Sequence, residues 1–577
     1  MSSPAELLAG LDPDQAVAAE ALRGPVCMLA GAGTGKTRAI THRIAYGVAT
    51  GTYTASRVMA LTFTSRAAAE LRGRLRALGA EGVSARTFHA SALSQLNFFW
   101  PQVVGGQVPA LVESKGRVLG HAAERLRLRV DTATLRDVAG EIEWRKVSGL
   151  TLEQYAASNR PLPAKLSLEQ VVSLQETYEQ LKDERRRIDF EDVLLACAGM
   201  IETEPAVAMQ VHEQYRFFVV DEYQDVSPLQ HRLLELWLGG RRDVCVVGDA
   251  SQTIYSFAGA RSDYLLDFPT RYHDATVVRL ERNYRSAPPV VAAANTLMRG
   301  RPGALHLSAA TARDDEGTQT ARPETPAVGL RQYPNELSEA RGVASEILVQ
   351  LQAGVPASEI AVLYRINVQA AALETALGEA GIPYVMHGSK RFFELPEVRQ
   401  ALLQLRAASV SISGEPLFKS VSDVLRSLGW SQDPPDGGGA VRDRWESLNA
   451  IMGLVDQAPE GTSFRAFTDE LQLRQAAQHE PTVEAVTLAT LHSAKGLEWE
   501  AVHLIGLSEG YLPISYAKQF EQADEERRLL YVGITRAKRL LNLSWSETQQ
   551  RGGRREPSRF LAELGMRTSS APGRRGA

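Results

Sequence analysis

Cysteine is scarce in this chain: three among 577 residues, at Cys27, Cys197 and Cys245. None has metal-ligand spacing, and three thiols cannot complete a four-thiolate zinc or iron–sulfur centre by themselves. Each stands among apolar neighbours and reads as a buried free thiol. No apolar run approaches the ~18–20 residues that a membrane helix needs, so no membrane partner is expected. The N-terminal MSSPAELLAGLDPDQ lacks the basic-then-apolar design of a secretory signal, which points to a cytoplasmic protein. A general basic excess is also missing, the formal net charge being −4. Composition therefore does not announce nucleic acid, although a basic groove offset by acid elsewhere is compatible with that charge. No internal repeat of fixed period is present.

What the chain does have is length and an ordinary globular balance, with 44% hydrophobic and 23% charged residues. It is too long for one core, and roughly three to five domains are expected. Short apolar runs precede helix-like stretches at 26–29, 58–62, 217–220, 244–247 and 277–280, and again at 360–364, 486–490, 502–506 and 540–545. This alternation predicts an α/β protein with two parallel-sheet cores. Residues 98–192 and 396–482 show helical spacing and few strand signals, and read as insertions in the two cores. The resulting division is a first core over 1–97 and 193–285, split by 98–192. A second core covers 286–395 and 483–564, split by 396–482. Residues 300–328 read as a flexible linker, and 565–577 as a disordered basic tail.

The run AGAGTGKT follows an apolar strand and precedes a helix-compatible stretch. Gly31, Ala32, Gly33, Thr34 and Gly35 form a loop whose backbone N–H groups crowd around phosphate oxygens. Lys36 neutralises the β/γ charge, Thr37 holds Mg²⁺, and Arg38 follows at the head of the helix. The strict pattern wants glycine at Ala30. In FFVVDEYQD, Asp221 and Glu222 emerge at the C-terminal end of a buried strand, where open α/β sheets bind ligands. There Asp221 suits Mg²⁺, and Glu222 suits the polarising of water against the γ-phosphate. VVGDASQTIYSFAGA repeats the strand-then-turn design, with Gln252 placed to sense phosphate and Tyr255 and Phe257 to stack on bases. LERNYRS carries Arg282 and Arg285, and ITRAK carries Arg536, a guanidinium suited to stabilising a transferring phosphoryl group.

Taken together these motifs resemble the UvrD/Rep/PcrA family of superfamily 1 DNA helicases and, within it, the second UvrD-like group of actinobacteria. DPDQ at 12–15, AGAGTGKT, LTFTSRAAAELRGRL, TFHA, VVDEYQD, VGDASQTIYSF, LERNYRS, AVLYRIN, KRFFELPEVRQALLQL, LHSAKGLEWE and YVGITRAK occur in the family's order across nearly the whole chain. The resemblance implies two RecA-like P-loop NTPase cores, each with a mostly helical insertion. It implies ATP and Mg²⁺ as cofactors and single-stranded DNA or DNA junctions as partners, with 3′-to-5′ translocation. Carried over by motif, Gln15 reads adenine and Tyr284 stacks on it. Glu498 touches the ribose, and Gln252, Arg285 and Arg536 sense the γ-phosphate. Phe63, His89, Phe190, Tyr255, Phe257, Arg365 and His492 are DNA contacts. The expected setting is repair, replication or recombination, by a nucleoid-associated monomer or DNA-induced dimer with unidentified repair partners.

Three departures bear on that expectation. Many relatives have Trp-Arg at Phe257-Ala258. The loop SETQQRGGRREPSRF has no aromatic before Phe560, where relatives carry a ring thought to part the duplex. The second insertion is about half the length that the resemblance leads one to expect. These changes keep alive two alternatives: a translocase that strips proteins and needs a partner to unwind, and an ATP-gated DNA-binding module.

Overall fold

The computed structural model describes residues 3–130, 132–160, 162–163, 166–310, 327–387, 393, 395–411, 414–433, 440–456, 458–459, 461–477, 484–515, 517–548, 554–565 and 569–570. The chain divides into two compact units, Met1–Glu281 with Pro302–Leu305, and Arg282–Arg301 with His306–Ala577. Arg282 and Arg285 thus both belong to the second unit, whereas the motif reading had grouped them with the first core.

In the first unit six parallel strands form one sheet: β1 (Val26–Ala30), β2 (Val58–Thr62), β3 (Ser84–Thr87), β4 (Phe217–Val220), β5 (Val244–Gly248) and β6 (Thr276–Leu280). Their order is β3–β2–β4–β5–β1–β6. The period-two rule sorts the side chains onto the two faces. Cys27, Met59, Leu61, Phe218, Val220, Val244 and Val246 pack into one core. Val26, Met28, Val58, Ala60, Phe217, Val219, Cys245 and Val247 pack into the other. Burial on both faces explains why these strands read as unbroken apolar runs. Strand β3 was not foreseen, because SART at a sheet edge carries almost no apolar signal. Cys27, Cys197 and Cys245 are buried free thiols, and burial pushes the Cys197 thiol up to about 12.

The segment between β3 and β4 carries the helical insertion, with helices Lys115–Arg125, Thr132–Val147 and Leu168–Glu184. They enclose their own core of Val118, Leu119, Val138, Ile142, Leu174 and Tyr178. The two ends of the insertion meet in a short parallel pair, Ala110–Leu111 with Arg187–Ile188.

The second unit holds a seven-stranded sheet. Its strands are β7 (Val328–Tyr333), β8 (Ile360–Tyr364), β9 (Tyr384–His387), β10 (Val486–Thr490), β11 (Trp499–Leu504), β12 (Ala537–Ser546) and β13 (Ser569–Ser570). The order is β9–β10–β8–β11–β12–β7–β13, all parallel. Strands β7 and β9 escaped the apolar pattern because they are mixed and half-buried. In β13, Ser569–Ser570 pairs with Arg331–Gln332 within the tail read as disordered, and residues 566–568 and 571–577 lie outside the described ones. The linker expected at 300–328 is outside them over 311–326, while Ser308–Ala309 pairs with Arg282–Asn283. Helices Pro396–Ser411, Leu417–Ser427, Ala440–Asp456 and Phe464–Ala477 form the second insertion. Its separate core includes Val398, Leu405, Val421, Leu448, Phe467 and Leu471.

Buried histidines give the fold a pH dependence. Burial, with Arg331 nearby, lowers His503 to about 3; burial and then Arg271 lower His231 to about 4. Both are neutral in the folded chain and protonate near 6.5 when it unfolds. Their contribution to stability is therefore complete above about pH 6.5 and is lost as pH falls toward 4 and then 3. Each contributes up to about 1.4 kcal/mol per pH unit within its window. Denaturant titrations at pH 7, 6 and 5 should show a falling midpoint, and His503→Gln should flatten that fall. A midpoint independent of pH would contradict the buried-neutral assignment.

Candidate nucleotide and DNA site

The phosphate loop follows β1. Gly33 and Gly35 take φ values of 71° and 78°, the left-handed region that glycine enters at no steric cost. Gly35 is the N-cap of helix Lys36–Ala49 and makes no side-chain cap bond. The first N–H groups of that helix therefore face the loop, an arrangement suited to an anion. A Cβ at 35 would also lie 2.7 Å from Gln15 Nε2, so a side chain there would displace that amide. Gln15 is buried and donates to the Thr34 carbonyl at 2.9 Å. It also completes a capping box with Asp12 at the start of helix Pro13–Glu20. In this structure Gln15 therefore fastens that helix to the loop. Arg38 reaches the Gly10 carbonyl, and Thr34 closes the turn through Gly31 O at 2.8 Å.

Asp221 and Glu222 leave the end of β4. Glu222 adopts φ 52°, a left-handed conformation that costs a non-glycine residue about 1–3 kcal/mol. Its carboxylate stands 3.8 Å from Lys36 Nζ. The fold thus joins loop and acid although they lie far apart in sequence. Gln252 follows β5 and donates to Asp249 at 2.8 Å. Two residues missed by the motif reading complete this centre. Gln224 donates to Glu222 and accepts the Asp249 N–H at 3.0 Å. Both sit inside quoted motifs, and polar residues flanking a strand end were the available signal.

The described side chains include no cluster of three or more His, Cys, Asp or Glu suited to a metal cage. The donor set offered by Thr37 and Asp221, a hydroxyl and a carboxylate, is made of hard oxygens. It fits Mg²⁺ held jointly with phosphate.

Aromatic side chains of the first unit come together in two groups. Phe63 stacks on Tyr255 with centroids 5.3 Å apart, and Phe257 lies 6.2 Å from Tyr255. Phe63 and Phe257 are exposed, so ring faces are available for bases. His89 meets Phe190 edge-on at 6.0 Å; burial and then Lys115 lower His89 to about 4, so it is neutral. Phe190 is the first residue of its helix. Asp189 caps that helix through the Asp192 N–H at 3.0 Å. Burial would raise the Asp189 carboxyl, but Lys146 and Lys182 pull it well below the usual range. The ionic cluster beneath Phe190 fixes where that exposed ring projects.

The second unit brings its own distant motifs together. Ser286 donates to the Ala537 carbonyl at 2.7 Å and Arg285 to the Thr535 carbonyl at 3.3 Å. Arg285 also pairs with Glu498. Arg536 is buried, donating to Val532 O at 2.9 Å, Leu497 O at 3.1 Å and Thr535 Oγ1 at 3.1 Å. Tyr284 is half exposed, with the Arg282 guanidinium 5.6 Å from its ring centroid. Arg365 forms a bidentate pair with Glu526, which was not singled out from sequence. Both are largely buried, so Arg365 is committed inward in this structure. Burial, then Arg365 and Lys495, lower His492 to about 4. In the loop after β12, Arg555 N–H donates to the Glu547 carbonyl. Phe560, the next aromatic, is fully buried against the Arg527 guanidinium; residues 549–553 lie outside the described ones.

Two family descriptions match this chain. The UvrD/REP helicase N-terminal domain matches residues 11–273. The UvrD-like helicase C-terminal domain matches 278–430 and 442–548. The chain is 47% identical to the ATP-dependent DNA helicase UvrD2 of Mycobacterium tuberculosis, over 98% of this chain and 83% of that protein. It is 28% identical to DNA helicase II of Escherichia coli, over 97% of this chain and 88% of the relative. It is likewise 28% identical to the ATP-dependent DNA helicase PcrA of Bacillus subtilis, over 97% and 86%.

Proposed function

This chain belongs to the UvrD/REP helicase family, and from that premise we propose how it works on DNA. It is an ATP-dependent DNA helicase of the UvrD/PcrA type, an enzyme whose ATPase depends on DNA. The proposed direction is 3′ to 5′ along single-stranded DNA, in repair, replication or recombination. The observation carrying the ATPase reading is the Lys36–Glu222 approach at 3.8 Å, beside a glycine-shaped loop at the C-terminal ends of parallel strands.

In this reading Lys36 and the N–H groups of the loop bind the triphosphate. Glu222 orients a water and takes its proton. Thr37 and Asp221 would hold Mg²⁺, which would supply charge neutralisation to the triphosphate. Gln252, Arg285 and Arg536 answer to the γ-phosphate. Gln15 and Tyr284 serve the adenine, and Glu498 the ribose. Phe63, Tyr255 and Phe257, together with His89, Phe190 and His492, serve the DNA. Arg365, whose guanidinium is paired with Glu526, is the second unit's other DNA contact in this reading, beside His492.

One observation favours a second reading, a translocase that needs a partner to unwind. Phe560 is buried, and no other aromatic occurs in 546–559 to part base pairs. A strand-displacement assay on 3′- and 5′-tailed duplexes, beside ATPase with single-stranded DNA, decides between them. Displacement from the 3′ tail is the expected result. ATPase without displacement selects the translocase, and displacement from the 5′ tail alone refutes the direction.

A further inference from the structure

We propose that Gln224 is a positioning residue for hydrolysis, whose amide holds the Glu222 carboxylate and passes to it the state of the DNA-facing rings. The inference rests on the reading of Glu222 as the group that activates water.

Gln224 is completely buried. Its two amide hydrogens go to two carboxylates, Glu222 Oε2 and Asp225 Oδ2, the latter at 3.2 Å. Its Oε1 accepts the Asp249 N–H at 3.0 Å. That orientation is set by chemistry, since a flipped amide would turn its oxygen toward both carboxylates. Neither a carboxylate nor a hydroxyl supplies two donors and an acceptor on this length. The surroundings are built to admit the group. A Cβ at Gly248 would come within 2.5 Å of Gln224 Oε1 and 2.9 Å of Leu265 Cδ2.

The connection extends from Asp249 outward. Its carboxylate accepts the Ser251 N–H at 2.9 Å and the Gln252 amide at 2.8 Å. Three residues beyond Gln252 is Tyr255, stacked on Phe63. Burial, with Asp225 and Glu222 close by, raises Tyr255 to about 12, which places its ring within the field of the same carboxylates. Hydrogen bonds therefore join the Asp249–Gln252 turn through Gln224 to Glu222, and three residues of backbone carry that turn on to the Tyr255 ring and its neighbours Phe63 and Phe257. Glu222 is the element able to respond, because it already sits in a strained backbone conformation. A ring displaced by a base shifts that turn, and Gln224 transmits the shift to the carboxylate.

The test uses the full chain with and without single-stranded DNA. Gln224→Met removes donors and acceptor at similar length, whereas Gln224→Glu keeps the acceptor and removes both donors. Both should lower DNA-stimulated kcat by about tenfold or more, while KM for ATP and affinity for single-stranded DNA stay within about threefold. Activity of Gln224→Glu within about twofold of the parent would mean that the donors to Glu222 do not matter, and would overturn the proposal. In a cycle with Tyr255→Ala, stimulation by DNA should fall in each single variant and little further in the double variant. Multiplicative losses would refute the relay. Glu222→Gln separates the two levels. Retained ATPase there refutes the reading of Glu222 itself, whereas an inactive Glu222→Gln beside fully stimulated Gln224 variants refutes only the role of Gln224.

Discussion

Lys36→Ala is expected to lower DNA-stimulated ATPase by about a hundredfold or more, the scale of losing one preorganised electrostatic contact to a developing charge. Lys36 is mostly buried at the head of its helix and is the cation facing Glu222. Without it, the triphosphate would lose the ammonium that stands 3.8 Å from the Glu222 carboxylate. The effect should appear in phosphate release at saturating single-stranded DNA. Folding should change little, because an ion pair at 3.8 Å with both partners partly exposed contributes at most about 1 kcal/mol. Lys36→Arg should rescue poorly, since a planar guanidinium is wider than the compact ammonium that a tight loop accepts. A Lys36→Ala protein retaining most of its turnover would remove the phosphate role from this loop.

Arg536→Ala is expected to lower kcat by about 10³-fold or more, with a much smaller change in KM for ATP. The structure adds a second consequence that the motif alone did not suggest. The guanidinium satisfies the carbonyls of Val532 and Leu497 and the Thr535 hydroxyl. Truncation leaves the Leu497 carbonyl and the Thr535 hydroxyl oxygen without that donor in a buried place, at a cost of about 1–3 kcal/mol, while the Val532 carbonyl keeps the Thr535 hydroxyl at 3.0 Å. The variant should therefore be both slow and less stable. Arg536→Lys separates these effects, keeping the charge but losing the fork that reaches Val532 and Leu497 together. If Arg536→Ala loses stability but keeps its kcat, the residue only holds the second unit together. Equal losses of ATP affinity and turnover would mean that it merely binds nucleotide.

The buried strands were legible because both of their faces are covered. FFVV at 217–220 and VCVVG at 244–248 have no polar face to interrupt the run. SART at 84–87 and YVMH at 384–387 escaped, because edge strands meet less of the core and tolerate polar or mixed residues. The strand at 499–504 begins earlier than the apolar run suggested, since Glu500 is accommodated within it. The phosphate loop and the acidic pair were equally readable. Each is a contiguous stretch whose chemistry depends on a few local backbone angles and the end of one strand.

The sequence by itself determined the α/β class, the nucleotide loop, the Asp221-Glu222 pair and the motif order that marks the family. All of these are written in consecutive residues. Only the tertiary structure decided that Gln224 joins Glu222 to Asp249, that Arg285 pairs with Glu498, that Arg365 turns inward to Glu526, and that Arg536 is buried among carbonyls. Those contacts depend on which strand lies beside which and in what register. Hydrogen bonds of about 3 Å between side chains borne on separate strands and helices are fixed by packing, which no local spacing encodes.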